Sequence, residues 1–549
     1  MGLLDPIAPP YDPLEWAKKP FSEKSRMVCR SWALQGYGTP LGVYALYVVK
    51  VLFYVGGWAF FCSFTPGMGG LRSIASWWLE PVAFQKAILW SMLFEGLGLG
   101  CGSGPLTGRY FPPLGGFLYF LRPGTTKLPL FPRLPILGGS RRTWLDVFLY
   151  AASIILMALA LVSPRIGLDL LLPIAALVAL LGLADKTLFL IARGEHYWTT
   201  VMVFVLASSQ SGWIPGAKAV QAALWFWAGF SKLNHHFPSV VCVMTSNSPF
   251  TRFEWLRKLM YRSYPDDLSP SRLAVVAHGG TVLEFAVPAL LLAGQGGAVT
   301  AVGLVLMLAL HVFITSNVPM GVPIEWNVMM VYGAFFLFWK HADASLLAMP
   351  LPMAVFLAVM LVIVPLLGNL VPSWISFLLA MRYYAGNWAC SVWLFKGESY
   401  RKLDRLKKSS AWPRDQLERI YDRRTAVGIL SRVMGFRLMH LHGRALPLLL
   451  PKAVDRAEDY EWVDGELIAG MVLGWNFGEG HLHDEQLLRA VQEQCAFEEG
   501  ELRCIFVESQ PLGRSTLHYR IADAKSGPLD QGDVDVRDLL TRPPWPASS

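Results

Sequence analysis

Ten stretches of this chain are apolar runs of the kind that enter or cross a lipid bilayer, and no water-soluble domain accommodates so many. They lie near residues 41–63, 84–101, 145–163, 168–192, 198–209, 216–233, 273–293, 297–316, 324–339 and 350–371. A helical span takes about 20 apolar residues. Most of the runs hold no charge, which favours spanning helices, because lipid leaves the backbone no hydrogen-bond partner but itself. The run at 198–209 is short for a crossing and reads as re-entrant. Charged residues make up 16% of the chain, against roughly 25% in a soluble domain. The predicted fold is therefore an all-α polytopic membrane bundle of nine to ten spans, followed by a small C-terminal α+β soluble domain.

Four regions follow from composition. Residues 1–38 form an N-terminal cytoplasmic segment, 39–371 the transmembrane domain, 372–396 an aromatic interfacial segment, and 397–549 the soluble domain. Basic residues cluster in the N-terminus, in the loop after the second run and at 234–272; no Asp or Glu lies between Gly104 and Trp144. With ten crossings all three fall on the side of the C-terminal domain. The excess of positive charge on short loops assigns that side to the cytoplasm of a cell-membrane protein. A nucleic-acid partner is not expected, because the basic residues do not gather on one soluble module. In the C-terminal domain, GELIAGMVLGW, ELRCIFVESQ and TLHYRIAD read as strands and DEQLLRAVQEQCAF as a helix. Seven scattered cysteines suggest neither a disulfide framework nor a zinc ribbon. No metal site is expected.

An ionisable residue within a membrane is costly and marks a functional site by default. Lys232 ends an apolar helix in FWAGFSKLNHHF, followed by Asn234, His235 and His236. A desolvated lysine can act as a base; the same spacing also suits a lysine snorkelling to headgroups. His278 and Glu284 lie six positions apart near the start of another helix, on different faces. Gly279 and Gly280 there allow close backbone approach. His311 ends a third helix, and Asn317, Glu325 and Asn327 flank a Pro/Gly-broken link to the next. Glu95 precedes alternating glycines and is a candidate cavity residue. His481, His483 and Asp484 could hold a metal, but one H-x-H favours a turn leading to a helix cap at Asp484.

Taken together, these motifs resemble the membrane module of the vitamin K-dependent γ-carboxylase group. Ala228, Gly229, Lys232 and Leu233 match its A-G-x-x-K-L motif. Gly279, Gly280, Leu283 and Glu284 match its G-G-x-x-L-(D/E) motif; His311 and Asn317 match a third, and Trp198 an upstream Trp motif. The resemblance covers roughly 190–340. It implies a membrane enzyme with Lys232 as the base and with Glu284 and His311 as further catalytic groups. Trp198, Asn234, His278 and Asn317 would then surround a lipid-soluble cofactor of the reduced-quinone type. The chain as a whole, and its C-terminal part above all, resembles an uncharacterised family of bacterial transmembrane proteins. Membrane lipids, the lipid-soluble cofactor or substrate, and a protein partner of the C-terminal domain are the expected partners. The competing readings are a non-catalytic transporter or lipid-binding protein, and a histidine-rich metal oxidase, for which the histidine boxes are too few.

Overall fold

The computed structural model describes residues 2–113, 115–207, 212–251, 253–318, 323–382 and 386–546. Its main helices are α1 (Phe21–Gln35), α2 (Leu41–Cys62), α3 (Pro81–Ser103), α4 (Trp144–Val162), α5 (Leu168–Ala184), α6 (Ile214–Ser231), α7 (Phe237–Asn247), α8 (Arg272–Ala293), α9 (Ala298–Thr315), α10 (Ile324–Ala334) and α11 (Leu351–Leu370). Among the described residues six helices, α2, α3, α4, α8, α9 and α11, are long and apolar enough to cross a membrane. The remaining apolar runs form shorter or more polar helices rather than the nine to ten full spans expected. The run at 198–209 becomes a buried seven-residue helix, Thr199–Val205. Part of the Pro/Gly-broken link before Glu325, residues 319–322, lies outside the described residues.

The C-terminal part is built on a five-stranded antiparallel sheet. Its strands are β1 (Cys390–Lys396), β2 (Tyr460–Asp464), β3 (Leu502–Val507), β4 (Thr516–Asp523) and β5 (Gly527–Asp535), in the order β2-β1-β3-β4-β5. Helices α12 (Arg423–Met439), α13 (Gly465–Leu473) and α14 (Glu485–Cys495) accompany it. The strands expected at ELRCIFVESQ and TLHYRIAD and the Asp484-capped helix are present.

One expectation is corrected. GELIAGMVLGW is not a strand but α13, capped by the Asp464 carboxylate at its start and by Gly474 (φ +83°) at its end. A continuous apolar run carries no period to separate helix from strand; the two caps carried the information. The aromatic segment 372–396, of which 383–385 lie outside the described residues, ends as a sheet strand, Cys390–Lys396. Cys390, Val392 and Leu394 of β1 pack with α1 and α12, whereas Trp393 and Phe395 join the core shared with the membrane helices. With both faces buried, β1 shows no polar alternation and reads like lipid-facing sequence.

The three basic segments and the C-terminal domain meet on one face of the bundle. Trp32 donates to the Val243 carbonyl (3.2 Å) and Arg30 pairs with Asp266 (2.7 Å). Arg444 donates to the Leu268 carbonyl (2.7 Å), and Asn476 N–H to the Gly102 carbonyl (2.9 Å). The seam is tight. A Cβ on Gly470 of α13 would stand 1.9 Å from the Thr107 carbonyl oxygen. Gly470→Ala is therefore expected to weaken docking of the 104–143 loop by about 1–3 kcal/mol, as overpacking does. Faster proteolysis within that loop in nanodisc-embedded protein is the readout; cleavage at the parent rate would contradict it.

Candidate functional site

Helices α6 and α8 cross where a glycine lets them touch. A Cβ on Gly229 would lie 3.1 Å from Glu284 Cβ. One turn on, Lys232 caps α6, and its ammonium forms an ion pair with Glu284 Oε1. Both side chains are buried, Lys232 at 5% exposure and Glu284 at 2%, so this lysine does not snorkel to the surface. The Phe237 ring centroid lies 5.4 Å from Nζ. Glu284 Oε2 is buried without a hydrogen-bond partner.

The pair opens on an apolar cavity of about 380 Å³ between α7, α8, α9 and the C-terminal domain. Val240, Met244, Leu283 and Phe313 line it, Trp388 closes the C-terminal side, and Asn317 contributes a polar edge. Such a volume, mostly apolar with a few convergent polar groups, is the usual form of a small-molecule site.

The other predicted residues divide. Asn317 lines the cavity, its amide donating to the Phe313 carbonyl (2.8 Å). His311 does not line it. Its Nε2 accepts from Trp225 Nε1 (3.0 Å) and its Nδ1 donates to Asn327 Oδ1 (2.8 Å), so both ring nitrogens are used in joining helices. His278 is partly exposed beside Phe237. Asn234 donates to the Gln510 carbonyl (3.1 Å) and so holds the C-terminal domain. Trp198 donates to the Ala175 carbonyl (3.0 Å) and packs on Phe189 and Phe356. Gly279 and Gly280 meet no neighbouring backbone; a Cβ on either would find open space. Ser231 donates to Asn369 Oδ1 (2.7 Å), tying α6 to the last span.

The H-x-H pair is spoken for. His481 Nε2 is 3.2 Å from both Glu508 oxygens, and its Nδ1 is 3.4 Å from Glu479. Burial alone would raise the Glu508 carboxyl, but the His481 imidazolium overrides it and holds it down to about 2. His483 Nδ1 is bonded to Ser391 Oγ (2.7 Å).

A second buried charged group escaped the sequence reading in part. Glu325 pairs with Lys50 of α2 (3.3 Å) and accepts the Cys101 backbone N–H (2.9 Å). Glu95 lies 3.6 Å from Arg193, which also stands 3.7 Å from Glu195. Lys50 within an uncharged run and Arg193-Gly-Glu195 at the end of another were the available signals. Lys50 and Cys101 also line a second apolar cavity of about 380 Å³, whose far wall is Arg437, Asp464 and Glu466 of the C-terminal domain.

Over residues 1–549 the chain matches a family described as transmembrane protein of unknown function (DUF3556), and it belongs to that family. No curated protein and no solved structure matches it.

Proposed function

We propose that this member of a transmembrane family is a membrane enzyme acting on a lipid-soluble molecule with a hydroxylic head, of the quinol type. The observation that carries the reading is the buried Lys232–Glu284 pair at the wall of an apolar cavity. A pair held away from water interacts far more strongly than an exposed one. Transfer of a proton from Lys232 Nζ to Glu284 Oε1 leaves a neutral amine, which serves as the base. That amine takes the proton of the hydroxylic head, and the ammonium so formed stabilises the oxyanion beside it. The apolar walls hold the isoprenoid or acyl portion, and Asn317 supplies a polar contact for the head. His311 acts at one remove, by fixing α9 against α6 and α10. Glutamyl carboxylation would be one use of such an oxyanion. The face bearing the three basic segments and the C-terminal domain is, on this reading, cytoplasmic, with the C-terminal domain free to engage a protein partner.

The test uses full-length protein in nanodiscs, with a photoreactive naphthoquinol analogue and a consumption assay for reduced naphthoquinone. Labelling is expected on α7 and α8 around Met244 and Leu283. Lys232→Ala is expected to lower consumption by about 10²-fold or more, the scale of a lost acid–base group, with the fold retained. Labelling that persists in Lys232→Ala without any consumption by the parent would favour a lipid-binding or transport protein. Labelling elsewhere would remove the reading.

A further inference from the structure

We propose that the second cavity, between α2 and the C-terminal domain, holds one acyl chain of a membrane phospholipid whose phosphate meets Arg419 and Arg423 at the cavity mouth. The first half of α2 has two sides. Val43, Leu46, Tyr47 and Lys50 recur at helical spacing and line the cavity. Leu41, Val48, Val49 and Leu52 are 60–67% exposed, on a helix long and apolar enough to span a bilayer. One helix therefore separates the cavity from lipid. Val433 and Phe436 of α12 face it across the cavity. The charged groups on the lining are already matched to partners: Lys50 to Glu325 (3.3 Å), and Arg437 to Asp464 (2.7 Å) and Glu466 (3.0 Å). What remains for an occupant is apolar surface around about 380 Å³, a space that favours hydrocarbon over a polar solute.

The mouth has the same preference. Leu4, Phe111 and Ile420 line the cavity and are nevertheless 60%, 51% and 38% exposed. An apolar rim of this kind marks an interaction site, and beside the start of a spanning helix its partner is lipid. The N-terminal segment is pinned to both sides of the opening. Gly42 N–H donates to the Leu3 carbonyl (2.7 Å), and the Tyr421 hydroxyl donates to the Leu4 carbonyl (2.8 Å). Charge on the rim suits a phosphate. Residues 418–424 read Glu-Arg-Ile-Tyr-Asp-Arg-Arg. Asp422 is occupied as the α12 cap, accepting the Thr425 N–H (2.7 Å), and Arg424 pairs with Asp12 (3.0 Å). Arg419 and Arg423, both exposed, stand on either side of Ile420 and Tyr421, with Glu418 as the remaining acid. Two guanidinium groups offer one phosphate charge-assisted hydrogen bonds, and the apolar residue between them admits the chain.

Full-length protein, delipidated in a maltoside detergent, is titrated with phosphatidic acid carrying a diazirine on one acyl chain, and separately with the matching diacylglycerol. Labelled positions are mapped by peptide mass spectrometry. Saturable labelling is expected on the inner side of α2, at Val43 and Leu46, and on α12 at Val433. Phosphatidic acid is expected to bind about tenfold or more tightly than diacylglycerol, the scale of two arginines at a lipid surface. Arg419→Gln with Arg423→Gln should erase that difference. Leu46→Trp, at a half-buried position, fills the cavity and should lower labelling of Val433 by about tenfold. If Leu46→Trp fails to fold, the double arginine variant, altered only at exposed positions, decides. Labelling confined to the outer side of α2 at Val48 and Leu52, equal affinity for the two lipids, or a lipid preference unchanged in the double variant would each overturn the proposal.

Discussion

Acidification below about pH 6.5 is expected to destabilise the C-terminal domain steeply, because two of its buried histidines cannot take up a proton in place. Burial pushes His440 down to about 3, partly opposed by the Phe436 carbonyl that its ring N–H meets at 2.8 Å. Burial likewise pushes His483 down to about 3. Between pH 3 and 6.5 both rings stay neutral in the folded chain and become charged in the unfolded one. The unfolded state therefore binds more protons, and stability falls as pH falls. Each group contributes a slope of about 1.4 kcal/mol per pH unit, so the two together remove about 4 kcal/mol by pH 5. Glu508, held at about 2, adds its loss only below about pH 4.3, the unfolded carboxyl value. His481, whose burial is outweighed by Glu508 so that its affinity for protons is raised, works in the opposite direction. Its stabilising share is complete below the unfolded value and fades as pH rises through the folded one. Hydrogen exchange of β1 and α14 in nanodiscs at stepped pH measures the slope. His442, which burial pushes well down, adds a third share in the same direction; His440→Phe with His483→Asn should lower the slope by the share of those two rings, and an unchanged slope in that double variant would refute the assignment.

Replacing Arg437 by methionine is expected to cost about 3–5 kcal/mol, the scale of a broken buried ion pair. Arg437 is 1% exposed and grips Asp464 through two hydrogen bonds, at 2.7 and 3.1 Å, and Glu466 through a third at 3.0 Å. Without the guanidinium, two carboxylates face each other at the seam between β2, α12 and α13. Asp464 is also the cap of α13, accepting the Glu466 backbone N–H at 2.9 Å, so the damage reaches the helix that packs on the 104–143 loop. A drop of about 10 °C in the thermal transition is expected for a cooperative unit of some 150 residues. Adding Asp464→Asn and Glu466→Gln to Arg437→Met removes both stranded charges and should recover most of the loss. If the triple variant is no more stable than the single one, lost packing rather than stranded charge sets the cost.

What was legible in the chain was what a single contiguous segment decides. Partition into lipid depends on the summed apolarity of about 20 neighbouring residues, so the membrane domain and the six helices long and apolar enough to cross can be read from residue order alone. The Asp484 cap was legible for the same reason. The exceptions were apolar segments buried on every side. β1 and α13 look alike in hydrophobicity, and only Asp464 and Gly474 at the ends of α13 distinguish them.

What only the tertiary structure decided was which charges meet. Lys232 and Glu284 are 52 positions apart, and their pairing depends on how far α6 and α8 are rotated about their axes, a geometry that Gly229 permits. Packing likewise puts His311 against Trp225 and Asn327 rather than at the cavity, and brings Glu325 of α10 to Cys101 of α3 and Lys50 of α2. Burying a charge is a local cost written in the sequence; relieving it is a property of helix packing, which no single segment contains.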